Sequence, residues 1–253
     1  MKFITFGHSD DPVILLLHGG GLSWWSLEPI AKSLADRFHV VTPVIDGHGE
    51  DGETTFLSIE DSANKVLAYI DEQCHGKVYA LGGLSIGAQI ALEALSRRPD
   101  IANHAILEGT LVCPIPGTKT WMVPMIRLSY GLIRYKWFSR LQAKTLLVPE
   151  PLFLRYYEDS KKMSCLSLLN ITVSNGSYAL KSGIGNTTAK VLILVGEKEP
   201  GIMRKSAKLL HERIPGSQLL LCKGMGHGEL SLAHPEQYLK TMTAFLGNEG
   251  GES

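Results

Sequence analysis

The chain has 253 residues, with 25 Lys plus Arg against 25 Asp plus Glu and a hydrophobic content of 44%. This length suits one domain, or one domain carrying an insertion, and the apolar content fills a large core. The overall charge balance leaves no electrostatic footprint for nucleic acid or an anionic membrane surface, and it does not oppose a neutral substrate.

The residues from Met1 to Gly7 have no cationic stretch followed by a long apolar one, so no signal peptide is read there. Val13–Leu17 is a continuous apolar run of strand length that ends in His18-Gly19-Gly20-Gly21. His39–Val44 is rich in β-branched residues and ends near Asp46-Gly47-His48-Gly49. Lys77–Leu81, Ala105–Leu107, Val191–Val195 and Gln218–Cys222 are further runs of the same kind. Short apolar runs without polar alternation predict strands covered on both faces, as in a parallel sheet.

Helical spacing lies between the strands. Ile59, Ala63, Val66, Leu67 and Ile70 share one face, with Ser58 as N-cap and Asp61 three residues on. Ile86–Leu95, Met203–Ile214 and Pro235–Leu246 are three more helices, the last opened by a proline suited to its first turn. This alternation predicts an open, mostly parallel α/β sheet with helices on both faces. From about Leu111 to Thr188 the rhythm stops, and aromatic and Met residues are punctuated by Pro114, Pro116, Pro124, Pro149 and Pro151. The expected division is a core of residues 1–110 and 189–247 with an inserted, largely helical lid at 111–188. Extra core helices packed on the sheet are the alternative. Residues 248–253 read as a frayed tail.

Cys74, Cys113, Cys165 and Cys222 form no C-x-x-C pair, which points to free thiols in a reducing compartment. No run is long enough to span a bilayer. A cytoplasmic location follows, with no metal or other cofactor, no nucleic acid and no membrane insertion expected. Nothing in the sequence sets the oligomeric state.

Gly83-Leu84-Ser85-Ile86-Gly87 follows a predicted strand and opens a predicted helix, the context that makes G-x-S-x-G a nucleophile elbow. Glycine on both flanks relieves crowding at a tight turn, and the serine hydroxyl then stands clear of the backbone. At the helix N-terminus the free N–H of Ile86 favours a developing oxyanion. Gly20 is the second expected oxyanion donor, with Gly21 a close rival. His18 is expected to tie its turn together. The bland reading of these loops is a flexible glycine-rich turn after a strand. No G-x-G-x-x-G or phosphate-loop pattern is present.

Of nine histidines, His227 stands out, in Gly224-Met225-Gly226-His227-Gly228 after the last strand. A ring held there suits a general base toward Ser85. The loop Gly196-Glu197-Lys198-Glu199-Pro200 supplies a carboxylate to hold the imidazole, from Glu197 or Glu199. All four signals sit at the carboxyl ends of predicted strands, where ligands bind in open α/β sheets.

In the glycine-rich loop after the first strand, the Asp46–Gly49 turn, the Ser85 elbow and the final histidine loop, the chain resembles the α/β-hydrolase superfamily, from about Val13 to Leu246. The resemblance implies an α/β-hydrolase fold, the chain order serine, acid, histidine, and an acyl-enzyme on Ser85. Family loops like Gly196–Pro200 usually carry aspartate where this chain has Glu199, so the acid ranks Glu199 first, Glu108 second and Glu197 third. Serine at the nucleophile position excludes the aspartate-nucleophile branches. The lid and Trp24-Trp25 suggest an apolar group in a small or medium ester, thioester or lactone. The tryptophans either border the pocket or cover the sheet edge. A ligand receptor or slow-turnover sensor on the same scaffold is the competing expectation, and a catalytically dead homologue with an interaction role is a third.

Overall fold

A computed structural model describes residues 1–247. The tail expected at 248–253 lies outside the described residues. One sheet holds seven strands: β1 (Lys2–Phe6), β2 (Val13–Leu17), β3 (His39–Val44), β4 (Val78–Leu84), β5 (Ala102–Glu108), β6 (Lys190–Gly196) and β7 (Gln218–Cys222). Their spatial order is β1-β3-β2-β4-β5-β6-β7. Every neighbouring pair is parallel except β1 with β3. The helices are α1 (Glu28–Leu34), α2 (Ile59–Gln73), α3 (Ile86–Arg97), α4 (Val123–Ser129), α5 (Lys136–Thr145), α6 (Phe153–Lys162), α7 (Cys165–Ser177), α8 (Gly201–Arg213), α9 (Glu229–Ala233) and α10 (Pro235–Leu246).

In the inner strands the unbroken apolar runs reflect a sheet covered on both sides. The edge strand β7, expected to be covered as well, leaves Leu220 and Leu221 exposed, because among the described residues no strand pairs beyond it. Along β2, Leu15 and Leu17 join the cluster formed with α2, α3 and α8, whereas Ile14 and Leu16 join the one formed with α1 and α10. Alternate side chains point to opposite faces, and here both faces are dry, so no polar alternation survives. Six strands match the sequence pattern. The seventh, β1, is five residues long and adds to the edge by main-chain pairing with β3. β4 also runs on through Gly82 and Gly83, and Gly82 has no room for a side chain, since a Cβ there would come within 2.7 Å of the Ile106 carbonyl oxygen.

The chain leaves β2 to one side for β3 and then crosses to the other side for β4. The order therefore reverses between β2 and β4, the place where open α/β sheets form a crevice at the strand ends. Leu17 pairs in register with Gly83 there, so the Gly19–Gly21 loop and Ser85 emerge side by side.

Among the described residues no strand lies between β5 and β6. That stretch forms α4 to α7 with short turns. α7 docks directly on the core: the Ser167 hydroxyl accepts from Phe56 N–H, and the Asn175 amide donates to Gln89. α6 is tied down by Arg155 to Glu50 and by the Trp25 indole donating to Asp159. α4 and α5 pack chiefly on α6, α7 and their connecting turns.

α3 lies so close to the sheet that a Cβ at Gly87 would sit 2.5 Å from the carbonyl oxygens of both Leu17 and His18. Backbone cannot yield as a side chain can, so the cost is overpacking of ~1–3 kcal/mol or more. Gly87→Ala is expected to lower the urea midpoint accordingly. An unchanged midpoint would mean that α3 is free to shift outward.

Candidate active site

Ser85 is the hinge between β4 and α3, and its backbone sits at φ 56°, ψ −118°. A non-glycine residue there is strained and persists only when its surroundings over-determine it. The Ser85 N–H donates to the Glu108 carbonyl at 2.9 Å, and its carbonyl accepts from Gln89 N–H at 3.0 Å. A Cβ at Gly83 would lie 2.6 Å from the Gly87 carbonyl carbon, so both flanking glycines are required by contact between strand and helix.

The Gly19–Gly21 loop faces this turn. His18 is fully buried, its Nε2 accepts from Ile45 N–H at 3.1 Å, and its Nδ1 therefore donates to the Gly19 carbonyl at 2.9 Å. Burial, with the neighbouring His48 adding, pulls the His18 pKa down to about 3, so the ring is a neutral peg. Pinning the Gly19 carbonyl turns the N–H of the same trans peptide, that of Gly20, the opposite way. Gly20 Cα lies next to Ile86, with an added Cβ 3.6 Å from Ile86 Cγ2. Among the described residues neither the Gly20 nor the Ile86 N–H has a hydrogen-bond partner. Two adjacent free donors suit an oxygen that gains negative charge. Gly21 adopts φ 77° and its added Cβ would meet Leu146.

His227 lies in the loop between β7 and α9, where Gly224 and Gly228 both take positive φ. Its Nδ1–H donates to Glu199 Oε2 at 2.7 Å. The other Glu199 oxygen accepts from Gly196 N–H at 2.9 Å, which folds the longer glutamate arm back onto its own strand. Glu199 is buried, and the His227 ring is 43% accessible. Burial works against a charged imidazole. The hydrogen bond and charge of Glu199, with the charge of Glu108 adding, outweigh it and hold the His227 pKa above the usual value.

The three candidate acids have separate places. Glu199 meets the histidine. Glu197 accepts from Gly224 N–H at 2.8 Å and so braces the histidine loop. Glu108 is buried at the end of β5, where Oε1 accepts from Ser231 N–H at 3.3 Å and Oε2 has no partner. Burial raises its carboxyl to about 7, partly offset by Ser231.

The His227 ring packs over Gly109, where a Cβ would lie 2.7 Å from Cε1. Gly228 packs on Leu84, the neighbour of Ser85. The imidazole thus sits beside the serine turn. Among the described residues Ser85 Oγ has no hydrogen-bond partner, and such links often tighten only when substrate is bound.

Ser85, Gly20 and Ile86 line a cavity of about 360 Å³. Its exposed wall area is mostly apolar, with Leu22, Leu146, Met163 and Ile171 among the contributors, and His48, Gln142, Asp159, Ser160, Thr172 and Asn175 add polar groups. Trp24 and Trp25, expected as possible pocket walls, are not among the lining residues. Trp25 is 1% exposed in a cluster with Phe153, Tyr156 and Tyr157. Trp24 donates to Glu50 and lies under Arg155. Nearness in sequence to the glycine loop does not say which way a side chain turns, and these two turn toward α6. The lining residues of α5 to α7, polar and apolar alike, carried no sequence signal that marked them as pocket walls.

If the Glu199 carboxylate is the group that raises the imidazole, an NMR titration will find the His227 midpoint above 6.5, its ordinary value. Glu199→Gln should lower it by at least about one unit, and Glu108→Gln by less. Equal effects of the two variants would contradict this ranking.

The sequence profile of the alpha/beta hydrolase family matches residues 14–241. A pimeloyl-[acyl-carrier protein] methyl ester esterase of Aeromonas hydrophila is 23% identical over 96% of this chain and 97% of its own length. Proline iminopeptidase PfmaB of Pestalotiopsis fici is 25% identical over 87% of both. An AB hydrolase superfamily protein of Gibberella zeae is 29% identical, but the match spans 50% of this chain and only 44% of that protein. Among solved structures, a thermophilic esterase from Thermogutta terrifontis superposes with a TM-score of 0.75 at 19% identity, covering 97% of this chain and 92% of that one. With the fold, the site architecture and this profile in agreement, the chain belongs to the alpha/beta hydrolase family.

Proposed function

We propose that the chain is a serine hydrolase that cleaves a small or medium, mostly apolar carboxylic ester, thioester or lactone through an acyl-enzyme on Ser85. The observation that carries this reading is the strained Ser85 turn at the wall of an apolar cavity, with the His227–Glu199 pair beside it. The esterases among the relatives support the ester as substrate.

In this reading Ser85 Oγ attacks the acyl carbonyl as its proton passes to His227 Nε2. Glu199 holds the tautomer and stabilises the imidazolium. The carbonyl oxygen becomes an oxyanion between the Gly20 and Ile86 N–H groups. Collapse expels the alcohol, which takes the proton from His227. Water, deprotonated by the same imidazole, then attacks the acyl-serine, and the acid leaves with Ser85 restored. Residues 111–188 serve as the lid that keeps this space dry. A cavity of about 360 Å³ lies at the small end of ligand sites and favours short or medium groups.

One observation favours a second reading, a ligand receptor or slow-turnover sensor: the Ser85 hydroxyl and the His227 ring are not hydrogen-bonded. Labelling with a fluorophosphonate, followed by peptide mapping, separates the two. Stoichiometric modification of Ser85, abolished in Ser85→Ala and His227→Ala, is the expected result. Ester turnover in Ser85→Ala should fall by up to ~10⁶-fold, the scale of nucleophile loss in other serine hydrolases. A folded protein that is neither labelled nor active on esters gives the receptor reading the lead.

A further inference from the structure

The zero net charge of the chain is a cancellation. Residues 111–188 contain ten Lys and Arg but three Asp and Glu, and the rest of the chain has fifteen against twenty-two. Between Glu108 and Glu150 there is no acidic residue, while Lys119, Arg127, Arg134, Lys136, Arg140 and Lys144 all fall there. Arg140 pairs with Glu150, and Arg155, Lys161, Lys162 and Lys181 also have acidic partners. Among the described residues Lys119, Arg127, Arg134, Lys136 and Lys144 form no ion pair, and all five are exposed.

The same stretch carries large apolar side chains in solvent. Trp121 is 77%, Leu128 90% and Trp137 64% exposed, with Met125 and Leu141 close behind. Trp121, Met125 and Leu128 are spaced i, i+4, i+7, one helical face, and Trp137 and Leu141 are spaced i, i+4 on α5. Met122 and Gln142, each next in sequence to an exposed apolar side chain and turned about 100° from it, line the cavity. The exposed side chains therefore project outward from the segment that covers the site. An outward face with cations among protruding Trp and Leu is the composition of a helix that lies in a membrane interface.

We propose that the solvent-facing side of residues 119–144, which comprise α4, α5 and the turns that flank α4, docks on an anionic lipid surface. Trp121, Leu128 and Trp137 enter the headgroup boundary, and Lys119, Arg127, Arg134 and Lys144 meet lipid phosphates, while Lys136 lies over the Tyr157 ring. Nearly fully exposed, protruding side chains fit a fluid surface that closes around them, whereas a folded acidic protein would need matching pockets. The contact is peripheral, since no helix among the described residues is long and apolar enough to cross a membrane. It stands whether or not Ser85 turns over an ester.

The test is co-sedimentation of the full chain with phosphatidylcholine vesicles, with and without phosphatidylglycerol, at low and high salt. Binding should require phosphatidylglycerol and weaken as salt rises. The double variants Trp121→Ser/Leu128→Ser and Arg127→Gln/Lys144→Gln should each weaken partitioning by about tenfold or more, with unchanged circular dichroism and unchanged labelling of Ser85. Because all four side chains are exposed, unfolding is not an expected confounder, and dichroism checks it. No binding to phosphatidylglycerol vesicles, or binding that both variants retain, overturns the proposal. So does a protein that ignores vesicles yet binds polyglutamate through the same four residues, which would make the face a docking site for acidic polypeptides.

Discussion

The arrangement of this molecule hangs on how closely α3 passes over the ends of β2 and β4. Two glycines make that approach possible: a Cβ at Gly83 would run into the backbone of Gly87 and Ala88, and one at Gly87 into the carbonyl oxygens of Leu17 and His18. With the helix that close, the chain has one residue in which to turn from strand to helix, and Ser85 takes a backbone geometry that an L-residue otherwise avoids. The strain is held in place by main-chain bonds on both sides, to Glu108 and Gln89. Because β2 is the neighbour of β4, the same close contact brings the Gly20 N–H beside that of Ile86.

Electrostatics at the second half of the site follow from where carboxylates are solvated by protein. Glu199 accepts one backbone N–H and one imidazole N–H, so both oxygens of this buried carboxyl are satisfied. Glu108, a few residues away in space, has a single long bond and an orphaned oxygen, and burial raises it to about 7. Of the two neighbouring carboxyls, only Glu199 is hydrogen-bonded to the histidine. The extra methylene of glutamate is taken up by the bond back to Gly196, and the carboxylate still reaches the His227 ring.

Much of this was legible in the residues alone. Buried strands write themselves as unbroken apolar runs, and loops at their carboxyl ends inherit positions from the sheet, so Ser85, Gly20, Ile86, His227 and Glu199 could be named before any coordinates. What stayed hidden has physical causes. β1 is too short to show a period, and α1 begins at a turn with Pro29 close to its start. Trp24 and Trp25 sit next to the right loop but turn away from its cavity, a matter of side-chain direction that sequence proximity does not encode. The charge asymmetry was in plain view and vanished in the total, because a sum over the whole chain erases a separation of sign. The helices over the site gave no period that could be folded by eye, since α4 and α5 expose apolar residues instead of burying them.

The cover over the cavity is built in two tiers, with α6 and α7 bonded to the core and α4 and α5 resting mainly on those two. Changes in the outer tier are thereby insulated from the sheet and from the serine turn. Substitutions in α4, α5 and the turns beside α4 can redraw the cavity wall through Met122, Tyr130 or Gln142 while the folding free energy of the core is left almost untouched. Inheritance can therefore explore new substrates there at little risk to the fold, and a directed library would find its tolerated diversity in those two helices before anywhere else around the site.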